Sequence, residues 1–328
     1  MASAITGCGI GYPNDVLHNH ELEKLFGIED SWIVERTGIR SRQISGIDQS
    51  CVSLATEACR AAMLDAETEP AEVDHVIVAT TTPDERMPAT APSVQRALGI
   101  SDAGAFDVHA ACSGFLYGLA VAQSMIESGA ARRVLVCGVE VLSRVVDYSD
   151  RNSCILFGDG AGAVVLEKGE GGGRVGPFTL RSDGSGASML HISASNGLIE
   201  MQGREVYRWA VEKMCLSIEE LLHKAGLAPD EIDIFVGHQA NERILRAVAS
   251  RVGMTDRAFV NIGNWGNTSA ASIPIALTEA SAQGLLKEDD VVLLAAFGAG
   301  FVWGAGLVRW GSPLVTRLPV MDEVAVDV

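Results

Sequence analysis

Apolar residues run almost without interruption through five short stretches: VDHVIVATT (73–81), RRVLVCGVE (132–140), GAGAVVLEK (160–168), EIDIFVGH (231–238) and VVLLAAFG (291–298). Each is rich in β-branched residues and bounded by turn formers, the pattern of strands buried on both faces. Between them apolar positions recur at helical spacing, as in Ser53–Leu64 and Val206–Ala225. Strands alternating with helices predict an α/β protein.

The second half of the chain echoes the first. EPAEVDHVIVATT (69–81) has a counterpart in APDEIDIFVGHQA (228–240), which sets Glu72 against Glu231 and Asp74 against Asp233, 159 residues apart. AFDV (105–108) matches AFVN (258–261) at an offset of 153, and Gly129 matches Gly284 at 155. Self-similarity on this scale predicts a duplicated βαβαβ-rich unit, with 1–170 as the first half and 171–328 as the second. At the offset of 155, Cys112 falls on Asn267. Both are expected where a strand gives way to a helix, and His238 at the end of another strand. Ligands of α/β sheets collect at such places. Two halves related by a pseudo-twofold axis would bring the three side chains to one site.

Composition narrows the function. The 328 residues are 48% hydrophobic and 20% charged, an ordinary globular balance, and the 35 glycines cluster in turns between apolar runs. No apolar run is long enough to span a bilayer, and the opening MASAITGCGIGYP carries no secretory signal. Seven scattered cysteines fit a reducing cytoplasm better than a disulfide framework. No cysteine or histidine spacing points to a metal. A net charge of −17 disfavours nucleic acid and anionic membranes, and an acidic protein could dock only on a local basic patch.

Cys112, in DVHAACSGFLYGL, is expected near a helix N-terminus, where free N–H groups favour a thiolate and can hold an oxyanion. The other six cysteines read as small core residues. Taken alone, His238 in VGHQANERIL is as readily structural as catalytic, and Asn267 in NWGNTSAASIP could be a turn or cap residue. The glycine stretches 157–163 and 297–306 lack the Lys-Ser/Thr of a phosphate loop and read as tight turns beside a site. Arg243, Arg246 and Arg251 follow His238 at helical spacing, and Arg204, Arg208 and Lys213 lie on an earlier helix. This basic cluster on an acidic chain suits an acidic protein partner, with a solvated helix face as the alternative.

ACSGFLYGL, FGDGAGAVV, HQAN, GNTSAASIP, FGAGFVWGA and the N-terminal WIVERTGIRSR (32–42) together resemble the β-ketoacyl-acyl-carrier-protein synthase III family over nearly the whole chain. The resemblance implies a thiolase-like fold layered α/β/α/β/α and a homodimer. It implies that Cys112 takes an acyl group from an acyl-CoA. His238 and Asn267 would then stabilise the enolate left when malonyl-acyl carrier protein loses carbon dioxide, and that carbanion would attack the acyl-cysteine. Backbone N–H groups of Cys112 and Ala299 would form the oxyanion hole. Trp32, Arg36 and Arg151, with Asn241 nearby, would form the coenzyme A entrance. Indole and guanidinium can sandwich an adenine, and arginine answers phosphate. Met87, reaching across the dimer, would close an acyl pocket shared with Leu156 and Phe157. Relatives often carry Phe at the Met87 position, and the segment 182–203 is short for the family. Arg208, Arg243, Arg246 and Arg251 would dock the carrier protein. Coenzyme A enters only as the substrate thioester, so no resident cofactor is implied.

Three neighbouring chemistries and one non-catalytic role compete with this reading. A thiolase would need a second cysteine near FGAGF, and none follows Cys215. A two-histidine ketosynthase would carry histidine at Asn267. An acyltransferase that esterifies an alcohol or amine would keep the fold and the thiol. A non-catalytic scaffold would be expected to have lost Cys112.

Overall fold

The apolar runs form strands in two separate sheets. In this computed structural model, which describes residues 2–169 and 173–311, the strands are His75–Ala79, Arg133–Glu140, Gly160–Gly169, Ile234–Gly237 and Val291–Gly298. The run 231–238 yields the shortest strand because Pro229–Glu231 forms a single 3-10 turn ahead of it. The helical spacings become Cys51–Asp65, opened by the Ser50 hydroxyl accepting from Ser53 N–H at 3.0 Å, and Gly203–Ala225, closed by left-handed Gly226.

The first sheet has the order Ala2–Gly11, Gly160–Gly169, Arg133–Glu140, His75–Ala79, Gly104–Val108. His75–Ala79 runs parallel to both neighbours, and the other pairings are antiparallel. The second sheet repeats the order with Arg174–Ser182, Val302–Arg309, Val291–Gly298 and Ile234–Gly237. Its fifth position shrinks to a single bridge, Phe235 with Ala258, equivalent to the Val76–Ala105 pair of the first sheet. Helices Gly114–Glu127 and Ser272–Ala282 lie between the sheets and touch both, burying Phe115, Leu116, Leu119, Ile273, Ala276 and Leu277 in one core. Cys51–Asp65 covers the outer face of the first sheet and Gly203–Ala225 that of the second. The layers are therefore α/β/α/β/α, the thiolase-like architecture.

Two close approaches explain glycines inside strands. A Cβ at Gly9 or Gly11 would meet the backbone of helix Cys51–Asp65 at 2.4 or 2.2 Å, so only glycine lets that helix lie on the first strand. A Cβ at Gly138 would meet the Ala270 carbonyl at 2.2 Å. This second contact draws the Asn267–Ser272 segment against the ends of the first-half strands.

One sequence equivalence does not survive. The 3-10 turn Ala111–Ser113 and the helix from Gly114 match the turn Ser269–Ala271 and the helix from Ser272, an offset of 158. Ala111 and Ser269 share a positive φ of 44° and 47°. Cys112 therefore corresponds to Ala270, and Asn267 lies three residues earlier. The second helix has 11 residues against 14 in the first, so matching the glycines beyond their C-terminal ends shifts the starts by three. Cys112 and Asn267 are brought together across the interface between the halves rather than as symmetry mates.

Candidate active site

Cys112 sits on the 3-10 turn that leads into Gly114–Glu127. The other six cysteines are buried, whereas Cys112 is partly exposed and borders two cavities. Burial pushes its thiol up to about 11, the nearby Glu140 charge adds to the shift, and a Ser269 hydrogen bond opposes it. The turn is pressed against the strand Val291–Gly298: a Cβ at Gly298 would lie 2.7 Å from Cys112 N.

His238 follows Ile234–Gly237, its backbone N–H bound to the Ala295 carbonyl at 2.8 Å. Its Nδ1 lies 2.6 Å from Ser272 Oγ, which also accepts from Gln239 N–H at 3.3 Å. With that amide already donating to the oxygen, the arrangement favours the serine proton turning to Nδ1 and the imidazole proton sitting on Nε2. Burial lowers the His238 pKa to about 3, so the ring is neutral at working pH and acts as a donor. Asn267 is fixed on three sides. Its N–H donates to Leu156 O (2.8 Å), its carbonyl accepts from Gly158 N–H (3.0 Å), and its Oδ1 accepts from Ser269 N–H (2.9 Å). The amide nitrogen is left to face the cleft.

Cys112, His238 and Asn267 all line one cleft of about 740 Å³, together with Leu156 and Phe157. Trp32, Arg36, Asn241 and Arg243 stand along the same cleft. The Arg36 guanidinium covers the Trp32 ring at 4.2 Å, and Arg151 sits 5.8 Å from the same ring at the rim. Asn241 caps helix Glu242–Arg251 through Arg243 N–H and donates to Arg36 O at 3.0 Å, tying the two halves together at the mouth. Beyond it Arg208, Arg243, Arg246 and Arg251 are exposed. Arg208 pairs with Glu205 and Arg246 with Glu242, while Arg243 leans on Tyr207.

A second cavity of about 440 Å³ opens on the other side of Cys112, lined by Phe157, Ala299, Thr81, Leu142, Ile199 and Ser269 among others. Met87 lines neither cavity of its own chain and is 87% exposed. Among the described residues no group of three or more His, Cys, Asp or Glu side chains is placed to hold a metal, and no helix is long and apolar enough to cross a membrane.

Sequence reasoning passed over Ser269, Ser272 and Glu140. The two serines lie inside the GNTSAASIP motif, where spacing gives no hint of which hydroxyl turns inward. Glu140 did carry a signal: a lone acid ending the apolar run 134–139 is buried only when partnered.

The 3-oxoacyl-[acyl-carrier-protein (ACP)] synthase III family model matches residues 106–184, and the model of that family's C-terminal part matches 222–310. The β-ketoacyl-[acyl-carrier-protein] synthase III of Caldanaerobacter subterraneus subsp. tengcongensis is 43% identical, covering 95% of this chain and 99% of its own. The crystal structure of the Aquifex aeolicus 3-oxoacyl-[acyl-carrier-protein] synthase III superposes with a TM-score of 0.92 at 44% identity, covering 94% of this chain and all of its own. A priming β-ketosynthase from a polyketide biosynthetic pathway superposes at 0.90 with 34% identity, covering 95% and 97%.

Proposed function

Since the chain belongs to the 3-oxoacyl-[acyl-carrier-protein] synthase III family of condensing enzymes, we propose that it joins an acyl-CoA starter to malonyl-acyl carrier protein through an acyl-Cys112 intermediate. The observation that carries the reading is the convergence of Cys112, His238 and Asn267 on one cleft. The Cys112 sulfur attacks the thioester carbonyl, coenzyme A leaves as a thiol, and the acyl chain turns into the second cavity. The malonyl thioester then enters along the Trp32–Arg243 side. Loss of carbon dioxide puts negative charge on its thioester oxygen, where His238 Nε2–H and the Asn267 amide donate. Both donors act where charge develops, so they lower the barrier rather than merely bind. The resulting carbanion attacks the acyl-cysteine carbonyl, whose oxygen the Cys112 and Ala299 N–H groups hold. Cys112 departs as a thiolate and takes up a proton.

Trp32, Arg36, Arg151 and Asn241 suit the nucleotide of coenzyme A, and the exposed arginines suit an acidic carrier protein. The working form is a cytoplasmic homodimer, in which Met87 of one protomer closes the acyl cavity of the other. The test is intact-protein mass spectrometry after incubation with a panel of acyl-CoAs. The parent should gain the mass of one acyl group, and Cys112→Ser should gain none, because a serine lacks a readily formed thiolate. Equal loading of the two proteins refutes the assignment.

A further inference from the structure

Glu140 is a buried acid to which the condensation chemistry gives no role. It ends the strand Arg133–Glu140 with no exposed surface. Its carboxylate accepts from the Thr82 hydroxyl (2.6 Å), from the Thr81 hydroxyl (2.9 Å) and N–H (3.1 Å), and from the Ser269 hydroxyl (3.0 Å). Ser269 and Cys112 line the same acyl cavity, on the turns Ser269–Ala271 and Ala111–Ser113 that pack against each other. Ser269 holds this place on a backbone with φ 47°, a region non-glycine residues seldom adopt. The halves thus meet in a line from Cys112 through Ser269 to Glu140.

The electrostatics give this line a purpose. A region out of water holds one charge more readily than two. Burial raises the Glu140 carboxyl above its usual range, and the Cys112 thiol is raised by burial and by the charge of Glu140. A thiolate formed beside an ionised Glu140 would be disfavoured twice. A thiolate formed by handing its proton to Glu140 leaves the local charge unchanged, so the two groups titrate as a pair.

We infer that Ser269 and Glu140 form a proton relay that activates Cys112 for acyl loading, an assignment that rests on the acyl-cysteine reading above. Sγ–H gives its proton to Ser269 Oγ while Ser269 passes its own to Glu140 Oε1. The sulfur forms its bond to the thioester carbonyl carbon. On collapse the bond from that carbon to the coenzyme A sulfur breaks. The proton returns from Glu140 through Ser269 to the departing sulfur, so coenzyme A leaves as a thiol and Glu140 is again a carboxylate. No oxidant or reductant is needed. The other titratable groups nearby are His238, occupied with Ser272, His109 on the cavity wall, and Cys51 behind Thr80, with Asp84 and Asp107 beyond Cys51.

The experiment is single-turnover acyl loading, read by intact mass from about pH 6 to about pH 9.5, for the parent, Ser269→Ala and Glu140→Gln. Both variants should load about 100-fold more slowly near neutrality, the scale of general base catalysis. Their rising limb should move to higher pH, so that the deficit shrinks under alkaline conditions. Ser269→Ala keeps the backbone N–H that anchors Asn267, and an unchanged Tm and circular-dichroism spectrum report its intact fold. If Glu140→Gln does not fold, Ser269→Ala decides alone. A profile like the parent's in Ser269→Ala, or a loss equal at every pH, overturns the relay and leaves the acyl-cysteine reading standing. A parent that never loads Cys112 removes both.

Discussion

Replacing Ser272 with alanine isolates the histidine's part of the decarboxylation. The substitution removes the hydroxyl 2.6 Å from His238 Nδ1, in a buried setting where water does not substitute. A buried acceptor left without its donor costs about 1–3 kcal/mol. The ring can avoid that cost by moving its proton to Nδ1, and Nε2 then presents a lone pair where the enolate needs a donor. At 1.36 kcal/mol per tenfold, decarboxylation should slow roughly 5- to 150-fold. The upper end approaches the loss expected from removing one oxyanion donor outright, about 10²- to 10³-fold, because the Asn267 amide remains. The assay is carbon dioxide release from malonyl-carrier thioester, run beside single-turnover acyl loading, which should change by less than about threefold because His238 does not hold the acyl-CoA carbonyl. Since burial keeps the His238 pKa at about 3, well below the ordinary 6.5, decarboxylation should also show no histidine inflection between about pH 5 and 8. Parental decarboxylation by a folded Ser272→Ala protein would refute the tautomer argument. Equal losses in both half-reactions would mean that the serine serves only the helix start.

Two further perturbations test the remaining parts of the site. Gly298→Ala sets a methyl 2.7 Å from Cys112 N and 3.2 Å from the Cβ atoms of Ala111 and Cys112; it should cost about 1–3 kcal/mol of stability, read as a lowered Tm, and slow loading by displacing the oxyanion donors. Reversing Arg243 and Arg246 to Glu should raise KM for the malonyl-carrier protein while leaving acyl-CoA loading nearly unchanged, and added salt should narrow the gap from the parent, since steering charges act through screened fields.

The five strands named from their apolar runs were legible because both of their faces are buried, and Val291–Gly298 was bounded to the residue, whereas Ala2–Gly11, Arg174–Ser182 and Val302–Arg309 in the same sheets were not picked out. Helices lost only their ends, where caps such as Ser50 rather than apolar spacing set the limit. The duplication was legible in the strands and misplaced by three residues at the reactive turn, because periodicity cannot say which end of a helix has been shortened. Cys112, His238 and Asn267 stood out through their motifs. The Glu140–Ser269 hydrogen bond joins residues 129 positions apart, and no local pattern encodes a contact made only when two halves dock. The basic patch was legible as charge, but Glu205 and Glu242, one helical turn from Arg208 and Arg246, pair with two of its members. That leaves Arg243, at the cleft mouth, and Arg251 as the more available cations for a partner.

Because the reactive turn of the first half is completed by Ser269, Ser272 and Ala299 of the second, the order of synthesis matters. A ribosome making the chain places Cys112 187 residues before Ala299, an interval of roughly 10–40 s at about 5–20 residues per second. During that time helix Gly114–Glu127 has one sheet to lie on and nothing over its other side, so Phe115, Leu116 and Leu119 wait uncovered. The nascent first half is an aggregation hazard before it is an enzyme, and the thiol becomes useful only when the last strands arrive. A chain cut between the halves should therefore give fragments that sediment on centrifugation rather than two weak catalysts.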